Sequence, residues 1–321
     1  HLELLWKGMG RMGARRMKAA LPEWLPFYED CSDEVKREIL KMSESTIERI
    51  LQGPKAQFRR QMNCGTRKPA KPMTEIPIRN KEIQIDSVGH IEADCVAHCG
   101  GSLSGQFSWT LNTTDIKSGW TENEAMWGKN GTVVKKAMKE IEQRFPFTVE
   151  VFYSDCGNEF LNKYFIEGYI KAPYRIEPLE YYRGRAYHKN DQCYIEQKNN
   201  THIRELMGYA RVEWQQIVNK MNNVYRKEWR LLQNFFYPQQ RLLEKNRIGS
   251  KVKRKMSRAV TPYQRILEDH NVAENIKERL RKEKESLNPF ELQQKLKKKL
   301  QYINQLIRTT GEEPTKGKYA T

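Results

Sequence analysis

Polar and apolar residues alternate along short segments in the middle of the chain, and this period of two predicts β-strands. Strand signals begin at 82–86, and the alternation is clearest over 89–98 and 106–112. A glycine-rich turn at 100–102 separates these two strands. Residues 113–116 are predicted to continue into a third strand.

Beyond these strands the pattern changes to helices that alternate with strands. An apolar stripe at helical spacing predicts a helix over 133–145. The segments that follow are predicted as strand, helix, strand and helix, over 147–153, 158–170, 174–182 and 191–208. This order of elements fits an α/β core of the RNase H-like class, in which a mixed sheet begins with an antiparallel meander of three strands. We assign this core to residues 81–230.

Helical patterns precede the core. An apolar stripe over 35–42 predicts one helix, and Ser45-x-x-Glu48 is a capping box that opens a second. Two helices joined by three or four residues around Ser43 suggest a helix-turn-helix, whose second helix enters a major groove of DNA. An ordinary helical hairpin is the alternative. Residues 1–52 are therefore predicted to be a helical DNA-binding segment.

The remaining segments carry basic residues and helix breakers. Residues 53–80 hold four of the 13 prolines and are predicted to be a basic, extended linker. A helix is predicted over 213–229, and residues 231–262 are predicted to be a basic segment of strands and loops. Residues 263–321 are predicted to be two helices, divided at Asn288-Pro289, and a tail.

The composition excludes two classes of protein. No run approaches the roughly 20 apolar residues that cross a bilayer, which excludes a membrane protein. Aromatic residues make up 10% of the chain and include seven tryptophans, which excludes a disordered chain. Trp109, Trp120 and Trp127 are assigned to the core or to an interface. The N-terminus lacks a signal pattern and an initiator Met, so we expect the sequence to be a fragment of a longer one.

The six cysteines indicate a reducing compartment. They are too sparse for a disulfide scaffold and form no CxxC pair. Cys95-x3-Cys99 with His98 between them is one possible metal motif, but a strand would turn His98 to the face opposite both thiols. We expect reduced thiols in an intracellular protein of the cytoplasm or nucleoid.

Positive charge is concentrated in the two flanks. The chain carries 57 Lys or Arg against 40 Asp or Glu, a net charge of +17. Residues 1–80 carry 16 against 10, residues 81–240 carry 20 against 20, and residues 241–308 carry 19 against 8. A polyanion held by both flanks and processed at a neutral centre explains this distribution.

Three acids stand where the predicted sheet can bring them together. Asp94 lies within the first complete strand, Asp155 ends the strand after the first helix, and Glu196 lies in the helix that follows a basic loop at 183–190. Carboxylate oxygens suit Mg²⁺. Two such ions about 3.5–4 Å apart support in-line phosphoryl displacement.

Three strings around these acids carry a family resemblance. Glu-Ala-Asp at 92–94, Ser-Asp-Cys-Gly-Asn-Glu-Phe at 154–160 and Ile-Glu-Gln-Lys-Asn at 195–199 resemble the catalytic core of DDE transposases and retroviral-type integrases. The resemblance is strongest to transposases of bacterial insertion sequences and covers about 82–230. It implies that Asp94, Asp155 and Glu196 are the three catalytic acids.

The sequence departs from the family pattern in two places. Forty residues separate Asp155 from Glu196, where integrases typically have thirty-five. The shorter spacing would select Asp191 instead, but Asp191 is the natural N-cap of that helix, so Glu196 is preferred. Cys156 replaces the Asn that commonly follows the second acid.

The resemblance further implies a metal-dependent DNA transposase. Two Mg²⁺ or Mn²⁺ ions would support cleavage that frees a 3′-OH, followed by attack of that 3′-OH on target DNA. The partners would be transposon ends and target DNA, bound by a homodimer or larger assembly. A catalytically silent DNA-binding protein derived from a transposase is the alternative, and a structure-specific nuclease is a third interpretation.

Basic and amide side chains near these elements are candidates for DNA contact. Phosphate contacts supply most of the salt-dependent affinity of DNA-binding proteins. The candidates are Arg49, Arg183, Arg185, Lys189, Asn200, Arg204, Lys251, Lys253, Arg254 and Lys255. His188, in the same basic loop as Lys189, is a further candidate for a phosphate contact.

Overall fold

A five-stranded mixed sheet lies at the centre of the molecule. The computed structural model describes residues 1–56, 76–79, 85–185, 193–248 and 251–309. The strands β1 to β5 are His90–Ala97, Ser108–Asp115, Thr121–Trp127, Val151–Ser154 and Glu180–Arg183. Their order is β3-β2-β1-β4-β5, with β1, β2 and β3 antiparallel and with β4 and β5 parallel to β1. The predicted mixed sheet with an antiparallel meander is confirmed, whereas residues 82–84 of the first strand signal lie outside the described residues.

The third strand is not where the alternation placed it. Residues 113–116 belong to the end of β2 and the turn after it, and β3 begins at Thr121. The polar residues of β3 hid the strand, because its glutamates are buried. Glu122 is 0% exposed and accepts hydrogen bonds of 3.1 Å from Arg144 and of 3.1 Å from Arg230.

Helices cover both faces of the sheet and carry the second half of the core. α5 is Gly131–Glu142, and the short α6, Lys163–Phe165, continues as a π-helical turn to Ile170. The segment with Glu196 consists of α7, Cys193–Lys198, a π-helical turn, Asn199–Arg204, and α8, Glu205–Met207. Its predicted end near Gly208 is confirmed by a left-handed residue there, with φ of 78°.

The next helix is longer than predicted. α9 is Gln215–Val224, and helical turns continue through Phe236 rather than ending at 229. The added turn is buried, since Leu232, Phe235 and Phe236 are at most 1% exposed. The predicted strand-and-loop segment therefore begins with helix.

Four helices form the N-terminal region: α1 to α4 are Leu2–Gly8, Ala14–Trp24, Asp33–Lys41 and Glu44–Ala56. The predicted capping box at Ser45 is wrong, because the Ser43 hydroxyl accepts a hydrogen bond of 3.2 Å from the Thr46 N–H, the N-cap pattern. Trp24 in α2 is 0% exposed and packs its ring at 6.2 Å from Phe236 and 5.0 Å from Phe290. The first two helices are thus part of the main core.

The C-terminal region is a hairpin followed by three helices, one more than predicted. The hairpin strands β6 and β7 are Leu242–Ile248 and Lys251–Met256. α10, α11 and α12 are Pro262–Glu268, Glu274–Glu285 and Pro289–Thr309. Thr261 and Gln264 form a capping box that starts α10, which accounts for the extra helix. Within the described ranges no helix combines the length and hydrophobicity needed to cross a bilayer.

Candidate active site

Asp94 and Asp155 lie side by side at one edge of the sheet. β1 and β4 are parallel, and the last pairs of their register are Glu92 with Tyr153 and Ala93 with Ser154. Asp94 and Asp155 are the next residues on the two strands. Neighbouring strands lie about 4.8 Å apart, and the carboxyl ends of parallel strands are where α/β sheets place their ligands.

Burial and neighbouring negative charge destabilise the ionised form of both carboxyl groups. Burial and then the charge of Asp155 raise the pKa of Asp94 above its usual range. Burial and then the charge of Glu159 raise the pKa of Asp155. A cation placed between the two carboxylates would relieve this repulsion.

Each acid is oriented by backbone or amide donors. Asp94 accepts a hydrogen bond of 2.7 Å from the N–H of Cys95 and one of 2.6 Å from the side-chain amide of Asn199. Asp155 accepts 2.9 Å from the N–H of Gly157. Each oxygen of Asp94 accepts one of these bonds, and Asp155 accepts through Oδ1, so both carboxyl groups keep lone pairs for a further ligand.

A buried ion pair lies beside the two acids. Glu159 is 4% exposed and accepts a hydrogen bond of 2.6 Å from Lys129, whose Nζ lies 4.4 Å from the ring centre of Trp109. Burial lowers the pKa of Lys129, but the carboxylate of Glu159 raises it by more. Lys129 therefore remains charged and brings a positive group close to the acids.

Glu92 attaches the helix of Glu196 to β1. Its side chain is 0% exposed and accepts a hydrogen bond of 3.1 Å from the N–H of Ile195, in the first turn of α7. The same carboxylate forms an ion pair of 3.3 Å with Arg79. Burial raises the pKa of Glu92 to about 8, although Arg79 opposes the rise. The strand that carries Asp94 thus holds the helix that carries Glu196.

Glu196 itself does not complete a three-acid group with the two aspartates. Its side chain is exposed on α7, and its charge raises the pKa of Glu92. No three His, Cys, Asp or Glu side chains converge on a metal position anywhere in the described ranges. The structure therefore brings Asp94 and Asp155 together and leaves Glu196 on the adjoining helix.

A chain of amides connects the core to Asp94. The side chain of Asn123 donates a hydrogen bond of 2.7 Å to Asn112, and Asn112 donates one of 2.8 Å to Asn199. Asn199 in turn donates to Asp94. The roles of Asn123 and Asn112 were not predicted from the sequence. The available signal was a polar residue in the middle of each strand, where side chains on both faces are covered.

The predicted DNA contacts fall into three groups. Five of the predicted side chains are exposed: Arg49, Arg185, Lys253, Arg254 and Lys255. Asn200 and Arg204 are half-buried, and the guanidinium of Arg204 lies 5.0 Å from the ring centre of Tyr209. Lys251 begins β7, and Lys189 and His188 lie outside the described residues, as does Asp191, the alternative third acid.

The placement of Arg183 in a basic loop is wrong. It is the last residue of β5, it is 8% exposed, and its Nε donates 3.0 Å to the carbonyl of Ile76. The segment at 76–79 pairs with this residue, which closes the sheet edge. Arg183 therefore supports the fold.

The cysteines and tryptophans mostly follow the predictions. Cys31, Cys95, Cys99 and Cys156 are free thiols. His98 is buried and shares a hydrogen bond of 2.7 Å with the Thr110 hydroxyl, and burial lowers its pKa to about 3. Of the three tryptophans, Trp109 and Trp120 are buried and Trp127 is half-buried.

Comparisons with known proteins give a relative in sequence and a distant likeness in structure. No family model matches the sequence. The uncharacterized protein y4rM of Sinorhizobium fredii is 33% identical over 261 residues, which cover 78% of this chain and 72% of that protein. The catalytic core domain of BIV integrase aligns with 56% of this chain and 94% of its own length, at 15% identity and a TM-score of 0.35. A likeness at that level does not bear on function.

Proposed function

The chain belongs to the family of the uncharacterized protein y4rM of Sinorhizobium fredii. From the arrangement of its acidic residues we propose that the chain is a DNA transposase. The reaction is DNA cleavage followed by attack of the freed 3′-OH on target DNA. The catalytic acids are Asp94, Asp155 and Glu196.

The observation that carries the proposal is the pair Asp94 and Asp155. Two half-buried carboxylates on adjacent parallel strands, Asp94 within β1 and Asp155 directly after β4, are costly unless a cation or substrate uses them. Both raised pKa values record that cost. Perturbed acids concentrated in one place are typical of a functional site.

The donor set suits a divalent cation of the hard type. The carboxylate oxygens of Asp94 and Asp155 would hold Mg²⁺ or Mn²⁺ through lone pairs that their hydrogen bonds leave open, and Glu196 would join them after a change in its side-chain conformation. Two such ions, when bound, activate the attacking oxygen and stabilise the leaving oxygen of a phosphodiester. Asn199 fixes the orientation of Asp94 in this arrangement.

The surrounding charges suit a DNA substrate. Lys129 lies against Glu159 beside the acids, while exposed Arg49, Arg185 and Arg254 supply positive charge elsewhere on the surface. In the proposed interface these side chains contact DNA phosphates. The proposed assembly that joins two transposon ends to one target is a homodimer or larger.

A strand-transfer assay tests the proposal. Transposon-end oligonucleotides from the source genome are incubated with plasmid and the wild-type chain in Mg²⁺ or Mn²⁺, beside Asp155→Asn and Glu196→Gln. We expect joined products that EDTA and either substitution abolish, with end binding retained. End binding without any product from the wild type would favour the alternative, a silent DNA-binding protein. Products that persist in EDTA would contradict a metal-dependent reaction.

A further inference from the structure

A cavity of about 430 Å³ is lined in part by α7, and four cations are among its lining residues. Its walls come from distant parts of the chain: the end of β2 and the turn to β3, α7, the segment before β6, and α10. The cations are Arg16, Lys198, Arg241 and Arg265. A volume of this size is within the range of small-ligand sites.

The four cations are held by neutral groups. Arg241 donates a hydrogen bond of 2.7 Å to the carbonyl of Ile116. Arg265 donates hydrogen bonds of 3.1 Å to the carbonyl of Ser118 and of 2.6 Å to the carbonyl of Gln239. Arg16 donates 2.7 Å to the carbonyl of Pro238, and Lys198 donates to the Gln239 side chain. Within the described ranges, none of the four lies within ion-pair distance of a carboxylate.

The carboxylates nearby are already engaged. Asp115 lines the cavity, but it accepts bonds from the N–H groups of Gly89 and Ser118 at 2.9 Å and 2.6 Å, and from the Ser118 hydroxyl at 2.6 Å. Glu268, whose charge acts on Arg265, is paired at 2.7 Å with Arg258. With four cations against the single carboxylate of Asp115 among its described lining residues, the cavity carries an excess of positive charge.

A buried polar atom and a glycine also indicate a built site. Nε2 of Gln239 is buried and has no hydrogen-bond partner among the described residues, although it lines the cavity. Gly119 has φ of 78°, and a Cβ there would lie 2.9 Å from the Gln239 side chain and 3.0 Å from Arg265. The glycine permits the amide and the guanidinium to approach the turn.

We propose that this cavity binds a phosphate-bearing anion with at least two negative charges. Guanidinium groups bind phosphate oxygens with paired donors, and Lys198 adds a point charge. A carboxylate would leave most of the positive charge unbalanced, and a DNA duplex is too wide to enter. The remaining sources are a free phosphate compound and the terminal phosphate of a single strand.

The electrostatics of the cavity agree with this assignment. Burial, then the charge of Arg241, lowers the pKa of Arg265 to about 9. Burial and the charges of Arg265, Arg16 and Arg241 lower the pKa of Lys198. A bound dianion would offset the repulsion among these cations and so favour the charged form of each. The site does not depend on the acids, because its walls contain neither Asp94 nor Asp155.

Calorimetric titration of the whole chain tests the proposal. The ligands are sodium pyrophosphate and a trinucleotide with or without a 5′-phosphate, in EDTA and at constant ionic strength. We expect the wild type to bind at least one phosphate-bearing ligand, with affinity at least tenfold lower in Arg241→Gln and in Arg265→Gln. Arg308→Gln, which removes an exposed charge from α12, is the matched control and should bind normally.

The choice of ligands distinguishes the two sources of phosphate, and a double variant separates this proposal from the transposase proposal. Binding of the trinucleotide only when it carries the 5′-phosphate indicates a strand terminus, and binding of pyrophosphate alone indicates a free compound. The double variant Asp94→Asn with Asp155→Asn should bind as the wild type does, so failure of the transposase proposal leaves this result intact. No binding by the wild type, or equal weakening in Arg308→Gln, would overturn the site.

A second variant guards against misfolding. Lys198→Met keeps an unbranched side chain, one atom shorter, and removes the ammonium group from a repulsive cluster. We expect its melting temperature without ligand to equal or exceed that of the wild type, while the rise caused by pyrophosphate is lost. A lower melting temperature together with an unchanged rise would contradict the proposed role of the cations.

Discussion

The side-chain amide of Asn199 donates a hydrogen bond of 2.6 Å to Oδ2 of Asp94. The contact joins the helical segment of Glu196 to the strand of the first acid. A donor of this kind stabilises the ionised carboxylate, so it opposes the effect of burial on the pKa of Asp94. Asn199 is thus a positioning residue for the proposed reaction.

Replacing Asn199 by Ala should slow strand transfer about 10- to 100-fold, as loss of an outer-shell partner commonly does. DNA binding should be unchanged, because the amide acts through Asp94. Single-turnover strand transfer and fluorescence anisotropy separate the two. Asn200→Ala is the neighbouring control and should affect binding more than rate. Equal losses of binding and rate in Asn199→Ala would place Asn199 on the DNA.

The two aspartates should make the fold less stable as the pH rises. Each has a folded-state pKa above the usual 3.8, so the folded chain holds protons that the unfolded chain has lost. The stability present below about pH 4 is then lost as the pH rises through the raised values, by about 1.4 kcal/mol per unit of pKa difference. Asp94→Asn and Asp155→Asn should therefore unfold at higher temperature than the wild type at pH 7.

At pH 3.5, where both carboxyl groups are protonated, the aspartate variants and the wild type should melt together. Thermal unfolding at pH 3.5 and pH 7 without divalent ions makes the comparison. A wild type that is more stable than both variants at pH 7 would show that the carboxylates are favourably paired in the folded chain.

Glu159→Gln should move the acid limb of the pH–rate profile to lower pH. The charge of Glu159 raises the pKa of Asp94 and of Asp155, so its loss makes both acids easier to ionise. Strand-transfer rates between pH 5 and pH 8 measure the shift. Glu167→Gln, an exposed change on the turn after α6, is the control. A shift to higher pH would contradict the assigned electrostatics.

Lys129→Met should destabilise the fold by about 3 kcal/mol or more, because it leaves the carboxylate of Glu159 buried without its partner. Urea unfolding at pH 7 measures the loss. The double variant Lys129→Met with Glu159→Gln should recover part of it, since no buried charge is left unpaired. If the double variant is no more stable than Lys129→Met, the cost comes from packing against Trp109 instead.

Trp24→Ala should cost about 3–5 kcal/mol, the usual range for removing a fully buried aromatic side chain. The same urea experiment detects it as a lower midpoint of a single transition. Leu4→Ala, at an exposed position of α1, is the control. Two separate transitions, with only the first one lowered, would show that the N-terminal helices fold as an independent unit.

The sequence was most informative where a local pattern and a local motif agree. Alternation predicted β1, and the position of Asp155 directly after a strand predicted its place at the sheet edge beside Asp94. Both follow from short-range regularities of strands. The proximity of the two acids could therefore be predicted before the register was known.

The rest depends on contacts between distant residues. β3 escaped detection because Glu122 is buried by Arg144 and Arg230, which no local period reveals. Helix α2 was not predicted as a separate element, and only its packing on Phe236 shows that it belongs to the main core. The cations of the cavity come from four separate segments, so their convergence is a property of the fold.

The bond from the Ile195 N–H to Glu92 has a consequence for how this family can diverge. Because the start of α7 is tied to β1 directly, the number of residues that connect β5 to α7 does not set where Glu196 lies. Insertions and deletions in that connection should be tolerated as long as Glu92 and the first turn of α7 persist. Relatives are then expected to differ in the spacing from Asp155 to Glu196, with an acid kept at the position of Glu92.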